Sequence, residues 1–167
     1  MKYIAHYPEA LQQQVQQLLD QQQLGAMLRK RYAGKQHTCQ SDKALFDYVQ
    51  NLKAEYLRQA DPIAKVAYDN RLQVIAHALG THTTISRVQG SKLKAKREIR
   101  VATLFKAMPE PLLNMIVVHE LAHLREKQHD KAFYKLCTYM NPNYHQLEFD
   151  LRLALTHQEL VGPLEWS

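Results

Sequence analysis

The residues with the clearest chemical pattern are His119, Glu120 and His123, which form a His-Glu-x-x-His motif. On a helix, residues four apart share a face, so the two histidines point in the same direction. Two imidazoles placed in this way can bind one zinc ion, each at about 2.0–2.1 Å. Glu120 is not a ligand in this arrangement, but it lies beside the metal and can take a proton from water that the metal activates. The motif predicts a metal-dependent hydrolase in which Glu120 is the general base.

The spacing points to His129 as the third ligand. A continuous helix would carry this residue to the wrong face and about 9 Å along the axis from His123, so the helix must end between them. Polar residues at 125–128 and an aspartate suited to helix capping at position 130 indicate such a break. His129 then lies in a short corner between two helices. The alternatives for the third ligand are Glu126, His145 and Glu148.

The helix that carries the motif is apolar on nearly every side, which indicates that it is buried. Its apolar residues are Leu112, Leu113, Met115, Ile116, Val117, Val118, Leu121, Ala122 and Leu124. Polar groups that are buried with such a helix must have partners. A metal ion would be a partner for two histidines, so the context favours a metal site over a chance match.

The composition is that of a globular protein of one domain, with 167 residues and a formal net charge of +6. The two cysteines, Cys39 and Cys137, are far apart in the sequence, which predicts unpaired thiols in a reducing compartment. The sequence shows no secretory signal pattern and no apolar run long enough to cross a membrane. We therefore expect a cytoplasmic protein with no membrane partner. The oligomeric state is not predicted.

Helical periodicity and strand-like alternation predict an α+β fold. Helices are expected at 8–32 with a break at Gly25, at 41–60, from 108 through the motif, at 131–140 and at 144–160; strands are expected at 65–69, 81–88 and 98–105. The plan is a helical N-terminal part, a small and mainly antiparallel sheet, the buried motif helix and closing helices. We divide one hydrolase domain into a helical N-terminal extension (1–62), a catalytic core (63–160) and a tail (161–167).

Several short segments together resemble the YgjP-like metallopeptidase domain family, a relative of the SprT-like zincins. They are residues 119–124, 129–134 and 142–144, with Ser86-Arg87 and Gly90-Ser91 upstream. The resemblance implies a zincin-like fold in which His119, His123 and His129 bind zinc and Glu120 is the catalytic base. Some members of the long YgjP branch are labelled UTP pyrophosphatase, so the resemblance allows a peptide or a nucleotide substrate. The loop after Gly90-Ser91 is longer and more basic here than is usual in the family.

Six cationic residues and one acidic residue lie between Arg87 and Arg100. This basic segment predicts a surface for phosphate or nucleic acid; the alternative is a solvated hairpin whose lysines prevent a sheet edge from pairing. Arg87 could bind a carboxylate or phosphate through two hydrogen bonds. Ser91 lies at the predicted hairpin turn, and Tyr144 could donate a hydrogen bond to a developing oxyanion. These three residues are the candidate substrate contacts.

Three functions are consistent with these patterns. The first, which we favour on the sequence, is a zinc-dependent peptidase. The second is a phosphohydrolase that cleaves a nucleoside triphosphate to a monophosphate and diphosphate, for which another divalent ion such as Mg²⁺ or Mn²⁺ would suit the phosphates. The third is a nucleic-acid-associated protein with structural zinc. Glu120 argues against the third, because a structural site needs no general base.

Overall fold

The computed structural model describes residues 1–72, 86–87 and 96–167, with the backbone alone described at Ser86, Arg87 and Lys96. This part of the chain contains six α-helices and three strands. The helices are α1 (Glu9–Asp20), α2 (Leu24–Arg31), α3 (Asp42–Tyr56), α4 (Glu110–Ala122), α5 (Lys131–Met140) and α6 (Tyr144–Leu160). The strands are β1 (Lys65–Asp69), β2 (Ser86–Arg87) and β3 (Lys96–Ala102). The prediction of a helix-rich α+β fold with a small sheet is confirmed.

The sheet is not mainly antiparallel, so that part of the prediction is wrong. The strand order is β1-β3-β2, and the longer ladder is the parallel one, in which Lys65 to Asp69 pair with Glu98 to Ala102. Among the described residues, the short ladder between β2 and β3 is the antiparallel one, with Ser86 opposite Arg97. Parallel strands need a connection of a dozen or more residues, and β1 and β3 are far enough apart in the sequence for one.

Two predicted element boundaries are also wrong. The strand expected at 98–105 ends at Ala102, and a 3-10 helix follows at Thr103–Lys106, which buries Phe105 in the core. The helix expected at 41–60 ends at Tyr56, because Leu57 leaves the helical backbone and inserts a fully buried side chain. In both places the pattern of polar and apolar residues, alternating in the strand and of helical period in the helix, continues past the end of the element. Periodicity alone therefore does not locate the end. The strand expected at 81–88 falls within the described residues only at Ser86 and Arg87.

Helix α4 lies in the middle of the core, as its apolar sequence predicts. Its residues Leu112, Leu113, Met115, Val117 and Leu121 have no exposed surface. It packs against α3 and β3, which precede it in the sequence, and against α5 and α6, which follow it. A helix surrounded in this way holds the residues of its last turn in fixed positions.

The N-terminal helices are joined to the later helices by polar contacts as well as by the shared apolar core. Arg31 and Tyr32 both bind the fully buried Asp150 of α6, at 2.6 and 2.5 Å. Tyr48 of α3 donates to Glu110 at the start of α4, at 2.5 Å. The single-domain organisation with boundaries at 62 and 160 stays a prediction. None of the helices in the described residues is long and apolar enough to cross a membrane.

Candidate metal centre

The end of α4 and the corner after it bring the three predicted histidines together. His119 lies in the last turn of α4, and His123 follows the final helical residue. The chain then turns, and Asp130 begins α5 by accepting a hydrogen bond from the Phe133 amide, 3.0 Å away. His129 therefore lies in the corner between the two helices, as the sequence predicts.

The three imidazoles face one another closely enough to share one ion. Their possible ligand nitrogens all lie within 4.8 Å of one another. The ring centroids are 4.9 Å apart for His119 and His123, 5.0 Å for His119 and His129, and 4.8 Å for His123 and His129. His119 and His123 are buried and His129 is half-buried, so the cluster is most open on the side of His129.

Hydrogen bonds on the outer nitrogens indicate which nitrogens are available to a metal. Nδ1 of His123 lies 2.8 Å from the Glu126 carbonyl oxygen, which can only accept, so Nδ1 carries the proton. Nδ1 of His119 lies 2.8 Å from the Tyr144 hydroxyl oxygen, and that hydroxyl donates its own proton to Glu148. Nδ1 of His119 must therefore be the donor to Tyr144. In both histidines the lone pair is on Nε2.

Nε2 of these two histidines points into the cluster, where the structure fits a metal ion. Nε2 of His123 lies 3.0 Å from Nε2 of His129. Nε2 of His119 is buried and has no hydrogen-bond partner among the described residues. Nitrogens at about 2.0–2.1 Å from one tetrahedral ion would be about 3.3 Å apart. A buried lone pair without a donor is costly, and a divalent ion would satisfy it.

The electrostatics of the cluster also suit a metal. Burial, and then the neighbouring His123 and His129, hold the pKa of His119 well below its ordinary value. His119 is therefore neutral near pH 7, which is the form that binds a metal. Burial raises the pKa of Glu120, which is 5% exposed, to about 8 in the absence of a cation. A neighbouring cation favours the ionised carboxylate, which is the form that a general base needs.

Phe133 of α5 packs against all three imidazoles. Its ring centroid is 4.9 Å from that of His119, 4.6 Å from that of His123 and 4.9 Å from that of His129, and its side chain is fully buried. Sequence reasoning assigns Phe133 to the core by its helical spacing. The structure adds that the Phe133 ring is the apolar surface against which the three imidazoles pack.

Comparison with known proteins agrees with this centre. The family described as YgjP-like, metallopeptidase domain, matches residues 11–154. The chain belongs to the YgjP-like family. This YgjP-like protein is also 59% identical over 160 residues to a protein of Escherichia coli (strain K12) named UTP pyrophosphatase, and the match covers 96% of the present chain and 95% of that relative. No solved structure matches the chain significantly. Both names describe hydrolases, and the family description adds a metal.

The alternative third ligands lie outside the cluster that the YgjP-like chain forms. Among the described residues, only the three histidines make a group able to hold a metal. Glu126 contributes its backbone carbonyl to His123. The Glu148 carboxylate accepts from Tyr144, and His145 is exposed with its ring 5.5 Å from that of Tyr134.

The structure describes the three candidate substrate contacts to different extents. Ser91 lies outside the described residues, and Arg87 is described only as backbone in β2. Tyr144 is fully buried, and its hydroxyl binds His119 and Glu148. Substrate binding by these residues stays a prediction. The role of Tyr144 beside His119 could have been suspected from its position, since Tyr144, Glu148 and Arg152 follow one another at a helical spacing of four.

The two arginines of the basic segment whose side chains are described, Arg97 and Arg100, both form ion pairs. Arg97 lies 3.2 Å from Asp61, and Arg100 lies 3.1 Å from Asp69 and 3.3 Å from Glu98. Lys92 and Lys94 lie outside the described residues. The two described arginines therefore help to hold β3 to its neighbours, and they add no support for a nucleic-acid surface.

Proposed function

We propose that the protein is a zinc-dependent hydrolase that cleaves UTP to UMP and diphosphate. The observation that carries the substrate is the 59% identity, over nearly the whole of both chains, to a protein named UTP pyrophosphatase. The cluster of three histidines supports the metal dependence. Three histidine ligands are one of the sets found in catalytic zinc sites, which is why we propose zinc.

The side chains of the centre have separate roles in this reaction. His119, His123 and His129 would hold the ion, which when bound supplies a Lewis acid for a phosphoryl oxygen and lowers the pKa of water. Glu120 takes a proton from the attacking water and delivers it towards the departing diphosphate. The oxygen of one water forms a bond to the α-phosphorus, the bond from that phosphorus to the oxygen that bridges to the β-phosphorus breaks, and diphosphate leaves. General acid–base catalysis of this kind contributes about 10²–10⁴-fold in rate.

Exposed cations around His129 support a phosphate-bearing substrate. Arg125, Lys127 and Lys131 are all exposed and lie within four residues of His129 in the sequence, next to the acidic Glu126 and Asp130. Lysine and arginine at such a position would attract a triphosphate before it reaches the metal. We also propose Arg87 and Ser91 as contacts to the substrate.

A peptidase is the second candidate, because the matching family is described as a metallopeptidase domain and the His-Glu-x-x-His motif serves peptide hydrolysis equally well. Here the same Glu120 would act on water attacking a carbonyl carbon. We further propose that residues 1–167 function as one domain, since the N-terminal helices share the core that surrounds α4. On the described residues, no contact favours the third function, a nucleic-acid-associated protein.

The test compares the wild type with Glu120→Gln, which keeps the side-chain size but cannot accept the proton. Glu55→Gln, a change at an exposed position of α3, is the control. Each protein is loaded with zinc, its metal content is measured, and it is incubated with UTP, other nucleoside triphosphates and an unfolded protein. Reaction in ¹⁸O-labelled water shows which phosphorus is attacked.

We expect the wild type and Glu55→Gln to release diphosphate from UTP and to place the label in UMP. Glu120→Gln should keep its zinc and lose about 10²–10⁴-fold in rate. Cleavage of the unfolded protein without cleavage of UTP would replace the proposal with the peptidase. A wild type that holds zinc and cleaves neither class would refute both.

A further inference from the structure

Three polar residues of α6 lie on one face of that helix, behind His119. Tyr144, Glu148 and Arg152 are spaced by four residues, so their side chains follow one another along the helix. All three are buried, although two carry charges. Charged residues are rarely buried unless they are paired. Their position beside a histidine of the cluster gives a reason for the burial.

The hydrogen bonds along this face run in one direction, towards a carboxylate. Nδ1–H of His119 donates to the Tyr144 hydroxyl oxygen at 2.8 Å, and the hydroxyl donates to Oε2 of Glu148 at 3.0 Å. Because Glu148 as a carboxylate only accepts, the tyrosine proton is committed to it. The hydroxyl oxygen can then only accept from His119, so the imidazole carries its proton on Nδ1.

Arg152, the third of these residues, contacts both Glu148 and the N-terminal segment. Nε of Arg152 lies 3.7 Å from Oε1 of Glu148, and Nη1 of Arg152 donates to the Tyr3 carbonyl oxygen at 2.8 Å. The guanidinium balances the buried carboxylate and joins it to residues 2–4, which form a 3-10 helix against α6. Glu148 thereby has a buried counter-ion on its own helix.

We propose that Tyr144 and Glu148 are positioning residues that hold His119 with its proton on Nδ1 and its Nε2 lone pair facing the metal. The inference rests on the metal-binding part of the proposed function and does not depend on the substrate. Metal-binding histidines commonly donate their second nitrogen to a carboxylate or carbonyl, and loss of that partner costs about 10–100-fold in metal affinity. Here a tyrosine stands between the histidine and the carboxylate.

The experiment measures zinc affinity, by competition with a chelator, for the wild type, Tyr144→Phe and Glu148→Gln. Tyr48→Phe is the matched control, because Tyr48 is also a tyrosine that donates to a carboxylate, Glu110, but at the opposite end of α4. Thermal unfolding of each metal-free protein is recorded in parallel. In metal-free wild type, ¹⁵N NMR of the histidine side chains reports which nitrogen of His119 carries the proton.

We expect Tyr144→Phe to bind zinc about 10–100-fold more weakly than the wild type. Glu148→Gln should show a smaller loss, because the amide oxygen can still accept from Tyr144 but carries no charge. Tyr48→Phe should bind zinc as the wild type does, even if it unfolds at a lower temperature. The NMR spectrum should show His119 protonated on Nδ1.

Two results would overturn the proposal. One is a Tyr144→Phe variant that binds zinc within twofold of the wild type. The other is a metal-free wild type in which Nε2 of His119 carries the proton, and this result can be obtained even if both variants fail to fold. Since zinc is the only ligand used, failure of UTP hydrolysis in the earlier test leaves this one unaffected.

Discussion

Replacement of Phe133 by leucine should weaken zinc binding as well as the fold. The ring is fully buried and lies within 5 Å of the three imidazole centroids, at 4.9, 4.6 and 4.9 Å. Aromatic contacts contribute about 0.5–1.5 kcal/mol each beyond the area they bury. Complete truncation of a buried phenylalanine costs about 3–5 kcal/mol. Leucine keeps much of the volume but none of the ring contacts.

From these values we expect Phe133→Leu to lower the free energy of unfolding of the metal-free protein by about 1–3 kcal/mol. The imidazoles would also lose the surface that restricts their rotation. If fixing the imidazoles again on zinc binding costs about 1.4 kcal/mol of free energy, zinc affinity falls about tenfold. The matched control is Phe105→Leu, because Phe105 is also buried but belongs to the 3-10 helix before α4 and not to α5.

Two measurements separate the effects. Urea unfolding in the presence of a chelator gives the stability of each metal-free protein, and chelator competition gives its zinc affinity. Phe105→Leu should lose stability and keep the wild-type affinity, whereas Phe133→Leu should lose both. Equal zinc affinity in the two variants would show that Phe133 is ordinary core packing, and the reasoning would be refuted.

Asp130→Ala removes the cap of α5 and should cost about 1 kcal/mol of stability together with some zinc affinity; Ser41→Ala, which removes the cap of α3, should cost similar stability and leave zinc affinity unchanged. Chelator competition and urea unfolding measure both. Arg71 and then Arg100 hold the pKa of Asp69 well below its usual range. This stabilisation is therefore complete above the unfolded-state pKa of about 3.9 and is lost as pH falls below it. Asp69→Asn should flatten the acid limb of a stability–pH curve; an unchanged limb would contradict the assignment.

The helices could be predicted because their signals are local. Asp130 is a side-chain cap in the structure, as the sequence predicts, and Ser41 caps α3 in the same way; each accepts a hydrogen bond from the amide three residues later. The sheet could not be predicted in the same way. β1 pairs with β3 in parallel, and the alternation of polar and apolar residues within a strand shows neither which strand it pairs with nor in which direction.

The same distinction applies to the metal centre. His119, His123 and His129 lie within one helix end and one corner, so their spacing alone brings them together. The groups that orient them come from elsewhere: Phe133 from α5, Tyr144 and Glu148 from α6, with Arg152 tied to the backbone of the N-terminal segment. A helix end of this kind could carry the motif by chance. Replacement of a buried ion pair by apolar residues is often neutral or stabilising for a fold, whereas a carboxylate aligned through a tyrosine on the outer nitrogen of His119 is what a metal-binding histidine needs. The contacts behind His119 are therefore independent support for a metal centre, separate from the motif that first predicted it.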